Sequence, residues 1–298
     1  MNRLPPYARL IVLAVIWGMS FLFIKVALEG LPPLGIALGR CVAGAVTMWL
    51  LVVSARLPVP RDATLWRHVA VVSVVANAVP FALFAWGELH VTSGVAGVYN
   101  ATTPLATLLI AIAALPEERP TRERVAGLVL GALGVVTVLG PWRGVGDNTV
   151  LGQAACLAAA ASYGVAFNYV RRYVTPYRLD PVVLTACQLT VATLLVGIVA
   201  PFGGGSVHVT WRVAGSVLAL GALGTGVAFV LYHGLIRDIG ATSTSMVTFL
   251  IPIVAVSVGA VVLDEPVTWN LFVGAVVVVA GVALAEGRLR QVVRLRRP

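Results

Sequence analysis

The chain has 298 residues, of which 59% are hydrophobic and 11% charged, and its mean hydropathy is +0.95. A soluble globular domain has about 25% charged residues. The composition therefore excludes a soluble domain, since the chain cannot cover itself with polar groups, and it predicts a protein whose solvent is lipid. The formal net charge of +9 does not indicate a nucleic-acid partner, because the arginines cluster in the breaks between apolar segments.

Apolar segments long enough to cross a bilayer, about 20 residues each, recur along the whole chain. The first follows Arg3 and Arg9 as a signal peptide would, but no A-x-A cleavage site precedes the first charged break, so we interpret it as a retained helix. The segments are continuously apolar, which excludes the alternation of a β-barrel. Ten transmembrane helices are predicted, at residues 8–28, 34–55, 67–88, 93–115, 123–140, 149–171, 181–201, 211–235, 241–263 and 268–286.

The first segment contains Lys25, the only lysine of the chain, at the end of the stretch AVIWGMSFLFIK. At 3.6 residues per turn, Trp17 and Phe21 lie along one face of this helix, and we assign both to a substrate-binding cavity. A lysine one turn from the helix end can snorkel to the interface, for example towards Glu29. Alternatively, it is a point charge at the outer mouth of a pathway and attracts a carboxylate.

The second segment places Arg40 well inside its apolar run. A guanidinium group there costs about 2.5–3.5 kcal/mol on insertion scales unless it is paired or hydrated. We name Glu88, at the end of the third segment, as its candidate partner. An ion pair with Glu88 and a direct contact with substrate both remain open for Arg40.

The third and fourth segments are unusually polar and aromatic for membrane helices. Pro80 and Pro104 free backbone carbonyl groups, which is tolerated where helices line a cavity or pack together. Rings and amides in such a cavity can stack on and hydrogen-bond to a small organic solute. An interfacial aromatic belt is the alternative for Trp86 and Tyr99. We assign to the cavity Asn77, Phe81, Phe84, Tyr99 and Asn100.

The sixth, eighth and ninth segments contribute Tyr163, Tyr232, His233 and Thr248 to the same predicted cavity. His233 could change its protonation state during transport, because histidine titrates near neutral pH. A packed, neutral histidine is the alternative. No Asp or Glu lies centrally in any predicted segment, so proton coupling and facilitated diffusion both remain open.

Other motifs indicate packing rather than chemistry. Cys41, Cys156 and Cys187 fall inside predicted segments without metal-ligand spacing, so we expect small core residues and neither a metal nor a cofactor. The string GVGD (144–147) resembles that of intramembrane aspartyl proteases, which need a second buried Asp, and none is present in the predicted segments. The rows GIALG and GLVLG (35–39 and 127–131) match GxxxG packing and predict a contact between halves or a homodimer.

The chain also repeats itself with an offset of 146–148 residues. The matched positions are WGMSFLFIK (17–25) with YGVAFNYVR (163–171), Arg40 with Gln188, Pro104 with Pro252, and Glu118 with Glu265. Each unit holds five segments, an odd number, so the second unit crosses the membrane in the opposite sense. Such inverted repeats are a recurring plan of secondary transporters. We predict one five-helix repeat at 1–145, a second at 146–287 and a basic cytoplasmic tail at 288–298.

These features resemble the EamA-like transporter family of the drug/metabolite transporter superfamily. The resemblance rests on W-G-x-x-F-x-x-x-K in the first segment, Arg40, the Thr-Pro pair of the fourth segment and the E-x-x-T turn before the fifth. It implies a ten-helix secondary carrier of small metabolites, often an exporter of amino acids or related compounds in a bacterial inner membrane. The second half departs from the pattern, since Arg171 and Gln188 stand where the first half has Lys25 and Arg40.

The sequence thus predicts an all-α integral membrane protein that exports small organic metabolites by alternating access and is not an enzyme. Its predicted partners are a small-molecule substrate and the lipid bilayer, with no nucleic acid. The arginine-rich breaks place both termini in the cytoplasm of a bacterial inner membrane. An intramembrane enzyme, a channel and a non-transporting scaffold are the competing interpretations.

Overall fold

The computed structural model of the protein describes residues 4–114, 121–143 and 147–287. Glu118, the first three residues of GVGD and the predicted tail at 288–298 lie outside the described residues. Within the described ranges the regular secondary structure is helical throughout, which confirms the all-α prediction.

The helices follow the predicted segments in order. The first half contains α1 (Pro6–Ala27), α2 (Pro33–Ser54), α3 (Ala63–Gly87), α4 (Ser93–Ala113) and α5 (Arg122–Leu139). The second half contains α6 (Thr149–Tyr177), α7 (Pro181–Phe202), α8 (Trp211–Gly240), α9 (Val247–Val262) and α10 (Trp269–Ala285). Helices α6 and α8 continue past the predicted ends at 171 and 235, because hydropathy detects the apolar part of a helix and not its last polar turns.

Proline and side-chain caps determine where several helices begin. Pro6, Pro33 and Pro181 occupy first-turn positions, where the missing N–H costs nothing because no helical acceptor faces it. Asp62 accepts a hydrogen bond from the Leu65 backbone N–H at 2.8 Å, as an N-cap residue does. The Pro and Asp residues between apolar runs therefore divide the chain into separate helices.

The apolar helices identify a multi-pass membrane protein. Helices α1 to α4 and α6 to α8 are each long and apolar enough to cross a bilayer, and α9 and α10 are apolar helices of 16 and 17 residues. Helix α5, with 18 residues, is less apolar because Arg122, Glu123 and Arg124 form its first turn.

The two halves pack against each other along most of their length. Helix α5 packs along α10 and α2 along α7, while α1 contacts α8 and α9, and α6 contacts α3 and α4. A Cβ atom added to Gly281 of α10 would stand 2.5 Å from the backbone N of Gly131 on α5. The glycine row at 127–131 therefore packs between the halves, the first of its two predicted alternatives.

Candidate functional site

A cavity of about 560 Å³ lies between the two halves. It is bordered at mid-length by α1, α2 and α3, and it extends along α4, α6, α8 and α9 to the ends of α5 and α10. Ten residues that the sequence assigned to a binding site or pathway line it: Trp17, Phe21, Arg40, Asn77, Phe81, Phe84, Asn100, Tyr163, Tyr232 and Thr248.

Trp17 connects the halves at the middle of the cavity. Its indole Nε1–H donates to the backbone carbonyl of Gly224 on α8 at 3.1 Å. Its ring lies 5.4 Å from that of Tyr232 and 6.2 Å from that of Phe229 between centroids. This hydrogen bond satisfies the polar end of the indole, so the aromatic surface beside it remains available to the cavity.

Among the described residues, three π-helical segments border the cavity. Two of them occur in the third helix of a half, Val74–Ala78 in α3 and Ala219–Val227 in α8, and the other is Val170–Val174 in α6. A π-bulge leaves a backbone carbonyl without its usual helical donor and is frequent at functional sites. Here the Ser162 hydroxyl donates to the Val75 carbonyl at 2.7 Å, and the Thr225 hydroxyl donates to that of Leu220 at 3.1 Å. The irregular backbone is therefore satisfied where it borders the cavity.

A break in α4 shapes the wall formed by Asn100. The hydroxyl of Thr102 donates to the Tyr99 carbonyl at 2.6 Å, and that of Thr103 donates to the Asn100 carbonyl at 2.7 Å. Pro104 lacks the N–H that would continue the helical pattern. The side chains of Asn100, Thr103 and Pro104 consequently line the cavity at the point where the helix is interrupted.

Arg40 does not form the ion pair that we named for it. Its Nε–H donates to the Thr225 hydroxyl at 3.2 Å, and its guanidinium carbon lies 3.8 Å from the centre of the Phe81 ring. No ion pair within 4.0 Å in the described part of the chain joins it to Glu88. The reason is that Phe81 stacks on the guanidinium, whereas Glu88 lies two helical turns further along α3.

Lys25 and Glu88 lie outside the cavity, at the opposite end of α3 from its N-cap. The Lys25 ammonium donates to the backbone carbonyls of Glu88 at 2.5 Å and Val91 at 2.7 Å. These two carbonyls lie just after the last turn of α3, where the helix supplies no further N–H donors. The Glu88 side chain is fully buried, and neither carboxylate oxygen has a hydrogen-bond partner among the described residues. In this structure Lys25 thus caps a helix end and does not line the cavity.

Two other predicted lining residues, Tyr99 and His233, also lie elsewhere. Tyr99 is 1% exposed, and its hydroxyl donates to Oε1 of Gln153 on α6 at 2.5 Å. His233 packs beside the rings of Tyr232 and Phe229, with centroids 5.4 and 6.0 Å away. Hydropathy does not reveal which face of a helix a side chain occupies. Because a helix turns by 100° per residue, Tyr99 points away from the cavity that the next residue, Asn100, lines.

Glu265 closes the same end of the bundle as Lys25. Its carboxylate accepts hydrogen bonds from the backbone N–H and hydroxyl of Ser93, at 2.9 and 2.7 Å, and from the Gly94 N–H at 3.3 Å. These groups form the first turn of α4, where the helix dipole favours negative charge. We call the end formed by Lys25, Gly87, Ser93 and Glu265 the closed end.

The opposite end of the cavity contains several lining residues that the sequence analysis did not assign to the site. Arg124 begins α5, Arg171 lies near the end of α6, and Glu286 follows α10. Asn168 donates from Nδ2 to the carbonyls of Thr107 and Gly164, each at 2.9 Å. The available signal was the repeat itself, since Arg171 is the counterpart of Lys25. We call this end the open end.

The described residues offer no cluster of three His, Cys, Asp or Glu side chains that could hold a metal ion. Cys41, Cys156 and Cys187 are buried free thiols, as their positions in apolar segments indicated. The cavity instead presents aromatic rings, amides and hydroxyls, with the guanidinium group of Arg40 in its middle part and charged side chains at the open end. Such a mixed lining suits the binding of an organic solute.

Fold and site together define a class: a multi-pass membrane protein with a solute-sized chamber between its two halves. The chain belongs to the EamA-like transporter family, whose sequence model matches residues 6–140 and 150–286. Membership of this family confirms the resemblance noted in the sequence and indicates a transporter rather than an enzyme.

Curated relatives that are named as transporters or exporters match this chain over nearly their whole length. The uncharacterized transporter YoaV of Bacillus subtilis is 24% identical over 92% of this chain and 94% of its own. A probable terminal-alkyne amino-acid exporter of Streptantibioticus cattleyicolor is 26% identical over 94% and 92% of the two chains. A probable amino-acid metabolite efflux pump of Escherichia coli is 24% identical over 94% of each.

A solved crystal structure has the same fold, with a TM-score of 0.67 and 20% sequence identity. The match covers 96% of this chain and 98% of the other. The likeness extends over both halves of the chain and is one of fold.

Proposed function

We propose that this protein is a secondary transporter that exports small organic metabolites, amino acids or related compounds, across a bacterial inner membrane by alternating access. The observation that carries the proposal is the cavity of about 560 Å³ that reaches the open end of the bundle while the closed end is held by polar contacts. Ligand cavities for small molecules have volumes of about 300–1,000 Å³. A chamber that extends to one end of the bundle and not to the other is what one state of an alternating-access carrier requires.

The helix contacts support a ten-span bundle of two inverted five-helix repeats. The contact of α1 with α9 has a counterpart in that of α6 with α4, and the contact of α2 with α8 has one in that of α7 with α3. Helices α5 and α10, the fifth of each half, pack on each other. This exchange of partners is expected when two like units are related by a two-fold axis in the membrane plane.

The positions of the arginines support an orientation of the bundle with both termini in the cytoplasm. Arg56 and Arg61 lie between α2 and α3, and Arg172 and Arg178 lie in or just after the last turns of α6. The positive-inside rule places these breaks, and both termini with them, in the cytoplasm. The open end is then cytoplasmic, which is the side from which an exporter takes up its substrate.

The substrate class is supported by the relatives named as amino-acid exporters and by the mixed lining of the cavity. Trp17, Phe21 and Phe84 provide apolar surface, whereas Asn77 and Arg40 provide polar groups. An intramembrane enzyme is disfavoured because Glu88 lies outside the cavity and Glu286 is the only acid among the described residues that line it, whereas aspartyl catalysis requires a pair of carboxylates.

Counterflow in proteoliposomes tests the proposal. Vesicles loaded with unlabelled amino acids should accumulate the same amino acid in labelled form, with and without a pH gradient. A channel would equilibrate the label without transient accumulation, and an enzyme or scaffold would show no flux of any solute. Dependence of the steady level on the pH gradient would identify proton coupling.

Two glycines of α8 provide a matched pair of variants. Gly224 lines the cavity, so Gly224→Phe should fill it and reduce counterflow about 10-fold or more. Gly215 has no atom within 4 Å of an added Cβ, so Gly215→Phe should retain wild-type counterflow. Equal activity of both variants would contradict the assignment of the cavity as the transport pathway.

A further inference from the structure

Arg40 is a half-buried positive charge that has no counter-ion among the described residues. Its hydrogen bond goes to the neutral Thr225 hydroxyl, and its flat face rests on Phe81. No ion pair in the described part of the chain includes it. Charged side chains within membrane helices normally pair with an opposite charge or face a water-filled cavity, and Arg40 lines the cavity between the halves.

A buried donor without a hydrogen-bond partner belongs to Asn77, one helical turn before Phe81. Asn77 is only 4% exposed, and its buried Nδ2 group has no hydrogen-bond partner among the described residues. A buried amide donor without a partner costs about 1–3 kcal/mol. Asn77 also lines the cavity, so a ligand there could supply the missing acceptor.

The remaining walls near these donors are aromatic. Phe21 and Phe84 meet edge to face, with their ring centroids 5.6 Å apart, and the Phe84 ring lies 6.2 Å from that of Tyr163. All three line the cavity. The site therefore combines a fixed positive charge and an amide donor with apolar surface.

We infer that Arg40 and Asn77 bind the carboxylate of the transported solute, and that the aromatic walls contact an apolar portion of the same molecule. A guanidinium group presents two parallel N–H donors to a carboxylate, and such pairs are among the strongest hydrogen bonds in proteins. The substrate class is an amino acid with an apolar side chain or a related organic acid. This inference rests on the proposed function and names the chemistry of its site.

Binding to the purified protein tests the inference without any variant. L-Phenylalanine, L-leucine and 3-phenylpropionate should stabilise the protein against heat in a concentration-dependent manner. Their carboxamides have the same apolar groups without the negative charge, and should need about 30-fold higher concentrations or more for the same effect. Equal stabilisation by acids and amides would overturn the inference, as would stabilisation by none of the acids.

Arg40→Gln and Arg40→Lys localise the effect. Arg40→Gln introduces the residue that the second half has at the matched position, Gln188, and should raise the half-saturating concentration of the acids about 30-fold without changing that of the amides. Arg40→Lys retains the charge and should lose less. Arg212→Gln removes an exposed arginine whose partner is Glu29 and should leave acid binding unchanged.

Two further outcomes separate the possible failures. If sodium chloride competes with the acids as well as L-phenylalanine does, the site binds any anion and the assignment to organic acids is wrong. If acids and amides bind alike while counterflow of an amino acid is observed, the carboxylate inference fails and the transport proposal stands. Absence of counterflow for every solute would instead contradict the transport proposal.

Discussion

At the closed end of the bundle, Lys25 and Glu265 hydrogen-bond to the backbone of neighbouring helices, whereas at the open end Arg171 and Glu286 border the cavity. The two ends are related by the sequence repeat, since Lys25 and Arg171 occupy matched positions. Charged side chains at matched positions therefore differ in whether they line the cavity: Arg171 does and Lys25 does not.

This difference indicates how the closed end holds together. Lys25 joins α1 to the turn after α3, and Glu265 joins the turn before α10 to the first turn of α4. Each contact links a charge to backbone groups at a helix end, where the unpaired carbonyl or N–H groups concentrate. Cys156 is fully buried beside Gly87, and we expect opening of this end to expose it. Its reaction with a maleimide in a Cys41→Ala/Cys187→Ala background should therefore report opening.

The largest effect is expected from Gly87→Val. A Cβ at Gly87 would stand 2.6 Å from the Cys156 sulfur and 2.9 Å from the Gly152 carbonyl oxygen. Overpacking of this kind costs about 1–3 kcal/mol, so counterflow should fall about 10- to 100-fold and Cys156 labelling should rise. The control is Gly197→Val on α7, where the nearest atom to an added Cβ is 3.7 Å away. Normal counterflow by Gly87→Val would contradict tight packing of the closed end around Gly87.

Lys25→Met should open the closed end by a smaller amount. It removes both hydrogen bonds to the carbonyls of Glu88 and Val91, and a hydrogen bond to a charged group contributes about 1.5–3 kcal/mol. Labelling of Cys156 should rise about 10-fold or more. Thr107→Val, at the open end, removes a hydroxyl that donates to the Thr103 carbonyl of its own helix and should not change labelling. Unchanged labelling in Lys25→Met would mean that Lys25 does not stabilise closure.

Glu265→Gln should have an intermediate effect. The amide retains one oxygen that can accept from the Ser93 N–H, but it loses the negative charge that the start of α4 stabilises by about 0.3–1 kcal/mol or more. We expect Cys156 labelling in Glu265→Gln to increase roughly 3-fold. Labelling in Glu265→Ala, measured in parallel, should increase more. The ranking would be refuted if Gln and Ala at this position behaved alike.

The smallest effect is expected from Tyr99→Phe. It removes the hydrogen bond to Gln153, which should lower the free energy of unfolding by about 1 kcal/mol, seen as a lower melting temperature in detergent. Because Tyr99 does not line the cavity, the half-saturating substrate concentration in counterflow should stay the same. A several-fold rise in that concentration at unchanged melting temperature would place Tyr99 in the binding site after all.

Much of the fold could be predicted from the sequence, since apolar length and proline position set where helices begin and end. Helix α4 was predicted at 93–115 and spans Ser93–Ala113, and α5 was predicted at 123–140 and spans Arg122–Leu139. The π-helical segments in α3 and α8 were not predicted. The α8 segment contains three glycines, which weaken any helix, but this does not distinguish a π-helix from an α-helix. Only the pairing of backbone groups makes that distinction.

The candidate site was predicted in outline but not side chain by side chain. Asn77 and Asn100 line the cavity, whereas Tyr99 and His233 lie outside it. A polar or aromatic residue in a membrane helix signals an unusual environment. It does not reveal whether that environment is a cavity, a neighbouring helix end or a partner side chain such as Gln153.

By itself the sequence determined that this is an all-helical membrane protein of a transporter family, because composition and repeated motifs depend only on residue type and order. The tertiary structure alone decided which charges meet the cavity, which cap helix ends and which end of the bundle is closed. The physical reason is that direction and contact arise when helices pack. One rotation of 100° along a helix moves a side chain from the solute's path into the protein interior.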